Sequence, residues 1–346
     1  MSTRVVASLG RLVAGMALVA LASVPLAAQT AGKSGHAPAA NGTAASAPAG
    51  KHWTPPRTPW GDPDLQGVWD YKTITPLERP QSMAGRQFLT DQEVNQLESR
   101  AAKRLDEPPD ETVPAGTVHA PYWTDPGRKV LEDRRTSLII DPADGRVPSL
   151  TADAQQRAAT RGAVGRQGGR ADSYADRSNL ERCITQGLPN ANLPTLYNNN
   201  IQIFQAPGYV AILHEMVHDV RVIPLDGRTH VGSGIRQWLG DSRGRWDGNT
   251  LVVETTNFSD KTNFRGSGAN LHLVERFTRV GADAIGYEVT LDDPTTWTRS
   301  WTAALPMRPS EGLIYEYACH ESNIGLYDIL EVARDEDKAA GAKSQK

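Results

Sequence analysis

The sequence predicts a mainly β protein: an antiparallel meander forming a barrel or a strongly curved sheet, preceded by a small irregular α+β segment and followed by a C-terminal helix. Three observations carry this. From about residue 197 the chain divides into about eight short stretches rich in Val, Ile, Thr and aromatic residues, the types that fit a pleated, half-buried surface. Gly, Asp or Pro separates each stretch from the next, and Asp247-Gly248-Asn249 is a strong hairpin signal. The connections are short, so sequential stretches pair, and closing or curving the sheet is the economical way to protect its edges.

The elements follow in order. Residues 1–28 carry Arg4 and Arg11, an apolar run from Leu12 to Leu26 and small residues at Ala27 and Ala28, the pattern of a secretory signal peptide. Residues 29–52 are rich in Ala, Gly, Pro and Ser, with too little apolar surface to offset ordering entropy, and read as a disordered leader. Residues 53–196 are the irregular α+β segment expected to pack on the barrel. In it Leu65, Gly67 and Trp69 mark a first strand. Thr90 and Glu93 stand in capping-box positions ahead of Val94, Leu97 and Ala101 at helical spacing. "RRTSLIIDPADGR" reads as a strand and turn, Thr151 as the cap of a short helix, and residues 162–170 as a flexible glycine-rich loop. Residues 197–320 form the barrel-like domain through "IQIFQ", "YVAIL", "HDVRVIPL", "GRW", "TLVVETT", "LHLVERFTRV", "IGYEVTL", "TWTRSWTAAL" and "LIYEYAC". Residues 321–346 are the C-terminal helix and tail.

Removing residues 1–28 takes away two arginines and no acid, so the formal charge moves from −3 to −5. That balance leaves no electrostatic footprint for nucleic acid. No later segment has the length and apolarity of a membrane span, so membrane insertion is not expected. The expected location is periplasmic or secreted. Cys183 and Cys319 are the two cysteines; in an oxidising compartment they can form one disulfide, and two buried thiols is the alternative.

The strings "TPWGDPDLQGVW", "TPLERP", "RRTSLIIDPADGR", "TQGLPN", "YNNN", "RWDGNTLVVETTNF" and "YEYACHE" together resemble a broad family of uncharacterised exported bacterial proteins. The likeness spans most of residues 55–335. It implies export and a shared fold and hands over no catalytic residues. Gly67-Val68-Trp69 on a first strand is also similar to the G-x-W of lipocalins, which implies a lipocalin-like β-barrel.

His214-Glu215-Met216-Val217-His218 is an H-E-x-x-H string. On a helix, residues four apart share one face and both imidazoles reach one zinc ion; on a strand they lie about 13 Å apart and cannot. Pro207-Gly208 and Pro224 confine the segment, and its valines and isoleucines favour a strand, so no metal is expected. His272 and His320 with Glu275 would be the further candidates for a metal site inside a barrel. Gly240-Asp241-Ser242-Arg243-Gly244 matches the nucleophile-elbow spacing but precedes a hairpin rather than a helix, and reads as a polar turn.

Charges at inward positions carry more. Glu275 shares strand parity with Leu271, Leu273 and Phe277; Arg299 with Trp297 and Trp301; Glu316 with Ile314 and His320. Pointed into a barrel, these charges must pair with one another, with Glu215 or Arg221, or with a ligand. The expected function is therefore binding of a small organic molecule in a polar and aromatic cavity, open to non-redox acid–base chemistry of the lyase or isomerase kind. Glu215 or Glu275 would be the base, and His218 or His320 the proton shuttle. Arg221 or Arg299 would hold an anion, with Trp297, Trp301, Glu316 and Asn199 lining the cavity. No motif identifies a nucleotide, flavin or haem, so no cofactor is expected. The alternatives are a zinc-dependent hydrolase using His214, Glu215 and His218, and an envelope interaction module without catalysis.

Overall fold

A computed structural model describes residues 53–106, 124–162, 171–321 and 323–344. The expected signal peptide (1–28), the expected leader (29–52) and the glycine-rich loop from 163 onwards lie outside the described residues. Among the described residues ten strands and three longer helices follow one another as β1 (Gly67–Asp70), α1 (Asp91–Asp106), β2 (Ile139–Asp141), α2 (Ala152–Gly162), β3 (Asn200–Ala206), β4 (Tyr209–His214), β5 (Val220–Pro224), β6 (Asp241–Asp247), β7 (Thr250–Thr256), β8 (His272–Gly281), β9 (Ala284–Asp292), β10 (Trp301–Pro309) and α3 (Ile324–Ser344). Nine strands form one antiparallel sheet in the order β5-β4-β3-β1-β10-β9-β8-β7-β6, and β2 pairs with β10 beside that path. The sheet curls until β5 and β6 lie against each other, which makes a nearly closed barrel.

Closure has a specific cause. Nine strands joined by antiparallel pairings leave the two end strands parallel, so residues 225–240 must return along the barrel between them. Where they meet, β6 carries Gly244: a Cβ there would come within 2.5 Å of Leu225 Cδ2 and 2.8 Å of Ile223 Cγ2. The bare glycine lets those two side chains settle across the seam.

Alternation fills the interior. Along β8, Leu273, Glu275 and Phe277 are fully buried while His272, Val274 and Arg276 are not. Trp69, Ile201, Ile203, Val210, Ile212, Ile223, Leu251, Val253, Tyr287 and Leu305 complete a continuous apolar core from both halves of the sheet. Trp69 donates from Nε1 to Leu65 O at 2.9 Å, and the Arg279 guanidinium covers its ring at 4.7 Å. The predicted capping box is formed: Thr90 N donates to Glu93 Oε2 at 2.9 Å and Glu93 N to Thr90 Oγ1 at 3.3 Å. Ala154 N likewise donates to Thr151 Oγ1 at the start of α2.

Four expectations need correction. Residues 53–196 do not merely pack on the barrel, because β1 is one of its staves, paired with β3 on one side and β10 on the other. That also explains why "LIYEYAC" is not a strand: the edge of β10 it would have used is taken by β1 and β2. "TWTRS" is a turn region, and β10 starts only at Trp301. Asp293 organises that turn, accepting from Thr295 N, Thr295 Oγ1, Thr296 Oγ1 and Ser267 Oγ at 2.6–2.9 Å, a local alternative to the ladder. "GDSRG" is not a polar turn; Asp241–Gly244 open β6, and Ser242 points inward.

Candidate functional site

The inward charges on β5 and β8 meet across the barrel. Arg221 donates from Nη1 to Glu275 Oε1 at 3.1 Å and from Nη2 to Glu275 Oε2 at 2.5 Å, a bidentate pair with side chains 2% and 0% exposed. Glu275 Oε1 also accepts from Tyr287 Oη at 3.0 Å and Asn192 Nδ2 at 2.8 Å. Arg221 Nη2 reaches Ser242 Oγ on β6 at 3.3 Å, and Ser242 Oγ lies 2.9 Å from Thr255 Oγ1 on β7. The network therefore spans the seam that lacks a backbone ladder. Burial, and then the Glu275 charge, push the Tyr287 phenol well above its ordinary range, so it is a fixed donor.

His214 ends β4 beside this network. Burial and then the Arg221 charge hold its pKa down at about 3, so the imidazole is neutral. Its Nδ1 lies 3.0 Å from Ala191 O and must be the protonated nitrogen, since a carbonyl only accepts. The H-E-x-x-H string leaves the strand there: residues 216–218 form one tight turn, with Val217 and His218 in left-handed conformation (φ 59° and 45°). His218 is exposed, its Nδ1 3.2 Å from Tyr317 O, while His214 points into the core. The two imidazoles thus share neither a helical face nor a strand face, and the geometry a zinc hydrolase requires is not formed. Among the described residues no group of three or more metal-binding side chains converges.

The remaining predicted site residues scatter. Glu215 is buried at the same end, accepting from Asn200 Nδ2 at 2.7 Å. Arg299 is exposed and forks onto Asp141 through two 2.8 Å bonds, because no strand carries it inward. Glu316 and His320 are exposed in the irregular segment after β10. Trp297 and Trp301 are core residues, edge-on to each other at 5.6 Å. Asn199 is spent on the backbone, bonding Thr195 N, Thr195 O and Asp125 O. Of the proposed acid–base groups, only Glu275 and Glu215 are inside, and Glu275 is saturated by its partners.

The barrel interior is packed with its own apolar side chains, and a cleft lies outside it. The hairpins at 206–209, 247–250 and 281–284 turn at one rim; the opposite rim gathers the longer connections, including residues 171–199 and 257–271. Between these lies a cleft of about 1000 Å³ lined by Tyr174–Leu180, Arg182, Thr185–Leu188, Asn190, Thr195, Trp238 and Lys261–Asn263. Its walls are tied down. Asp219 accepts from Thr185 Oγ1 at 2.7 Å and Gln186 N at 3.2 Å, and Asn179 Nδ2 donates to Lys261 O at 3.1 Å. The Cys183–Cys319 disulfide is formed and fastens one wall to the chain beyond β10.

Sequence reasoning did not single out Arg182, Lys261, Trp238 or Tyr174. The available signal was the long irregular run before residue 197, since long structured connections on a rigid scaffold are where binding groups collect. No family model matches the chain, and no curated protein sequence matches it. Among solved structures it is similar to a secretary abundant heat soluble (SAHS) protein from Ramazzottius varieornatus, at 14% identity and a TM-score of 0.23, over 39% of this chain and 89% of that one.

Proposed function

We propose that the chain is an exported protein that binds a small, partly apolar organic molecule in the cleft at the loop rim of the barrel. The observation that carries this reading is the cleft itself: about 1000 Å³ of concave space, walled by fixed segments, above a barrel whose interior is filled by its own side chains. Such rims are common ligand sites, and the volume suits a drug-sized molecule. Export is supported by the signal-like first 28 residues and by the disulfide, which persists in oxidising compartments. Membership of the exported bacterial family belongs to the same proposal.

The test is a chemical-shift screen of the protein against a library of small aromatic and aliphatic compounds. Binders should perturb amides at 174–195 and 261–263, and Ala175→Trp, which places an indole in the cleft from an exposed position, should abolish the response. Binders that perturb other surfaces, or that ignore the Ala175→Trp variant, would refute the reading.

A further inference from the structure

We propose that the ligand of this cleft is an organic anion, an apolar ring or chain bearing a carboxylate, sulfonate or phosphate that Arg182 and Lys261 hold; this rests on the cleft being the binding site. The charges lining the cleft divide into spent and unspent. Arg177 is ion-paired with Glu181, and Asp176 closes a capping box with Ser173, accepting from its N–H at 2.8 Å. The side chains of Arg182 and Lys261 make no hydrogen bond or ion pair with any described residue. The chain as a whole is acidic, with a formal charge of −3, so two unpaired cations facing one cleft are not a by-product of a basic surface.

Arg182 is also held in a useful pose. It is half-buried, and its guanidinium lies over the Tyr174 ring at 5.3 Å. That contact engages the face of the Tyr174 ring and leaves the guanidinium N–H groups available for a planar or tetrahedral oxyanion. The backbone beneath is anchored on the next residue by Cys183 and three residues on by Thr185, so little ordering is left for binding. Leu180, Leu188 and the half-buried Trp238 supply apolar surface for the rest of the ligand.

Two fluorescent probes with one aromatic skeleton separate the terms: anilinonaphthalenesulfonate, which carries a sulfonate, and its neutral parent phenylnaphthylamine. Each charge-assisted contact contributes about 1.5–3 kcal/mol, or roughly tenfold or more in affinity. The full-length protein should therefore bind the sulfonate at least about tenfold more tightly than the neutral probe. The Arg182→Gln, Lys261→Gln double variant should lose that preference while binding the neutral probe unchanged, which also reports an intact fold. Equal affinities for the two probes, or a sulfonate affinity untouched in the double variant, would overturn the anion proposal and leave the cleft reading standing. Binding that survives Ala175→Trp, or no binding of either probe, would overturn both.

Discussion

Arg221→Met removes the cation from the middle of the barrel and leaves everything else in place. Glu275 then sits with no exposed surface, holding two neutral hydrogen bonds, from Asn192 and Tyr287, and no counter-charge. Breaking one side of a fully buried ion pair costs about 3–5 kcal/mol, because the remaining charge must be kept out of water without compensation. For a chain of this size each kcal/mol lowers Tm by about 2–4 °C, so the variant should melt roughly 6–20 °C below the parent. Urea unfolding at neutral pH is the assay. The double variant Arg221→Met, Glu275→Gln is the control. Glutamine keeps an acceptor for Asn192 and Tyr287 without a charge, so most of the lost stability should return. A single variant that loses less than about 1 kcal/mol, or a double variant as unstable as the sum of the two single changes, would refute the account of the network as a charge-compensated bridge across the seam.

Three further outcomes follow from the same geometry. Gly244→Ala puts a Cβ against Leu225 and Ile223 at the seam and should destabilise by about 1–3 kcal/mol in urea unfolding; an unaffected midpoint would mean the seam is not packed as described. His214 has a folded pKa of about 3 against an unfolded value of 6.5, so the unfolded state takes the proton first and stability falls as pH drops below 6.5. Between pH 6.5 and 5, above most carboxylate titration, that loss should be about 2 kcal/mol, and His214→Asn should flatten the urea midpoint across this window. Reducing the Cys183–Cys319 bridge, which spans 136 residues, should lower stability by about 2–4 kcal/mol; a midpoint unchanged by reductant would argue that the bond contributes nothing to the folded state.

Reading strands from alternation succeeded where a real strand carried it. Glu275 was legible as inward because Leu273 and Phe277 flank it on β8 at spacing two. The same rule misled at Arg299 and Glu316. Parity has meaning only on a strand, and Asp293 had turned one segment into a hydrogen-bonded loop while β1 had taken the edge the other needed. The H-E-x-x-H string could be separated from a zinc helix by its β-branched residues, but not recognised as a strand end followed by a tight turn.

Local chemistry written in adjacent residues was thus determined by the sequence alone: the β class, the hairpins, the capping box at Thr90, the N-cap at Thr151, and the alternation on β8. The tertiary structure decided what depends on residues far apart in the chain. It set β1 between β3 and β10, joined Arg221 to Glu275, paired the two cysteines, and brought Arg182 and Lys261 to one cleft. Side-chain periodicity is a property of neighbours along the backbone, whereas partners tens of residues apart are chosen only when the sheet closes and each buried charge must find its counterpart.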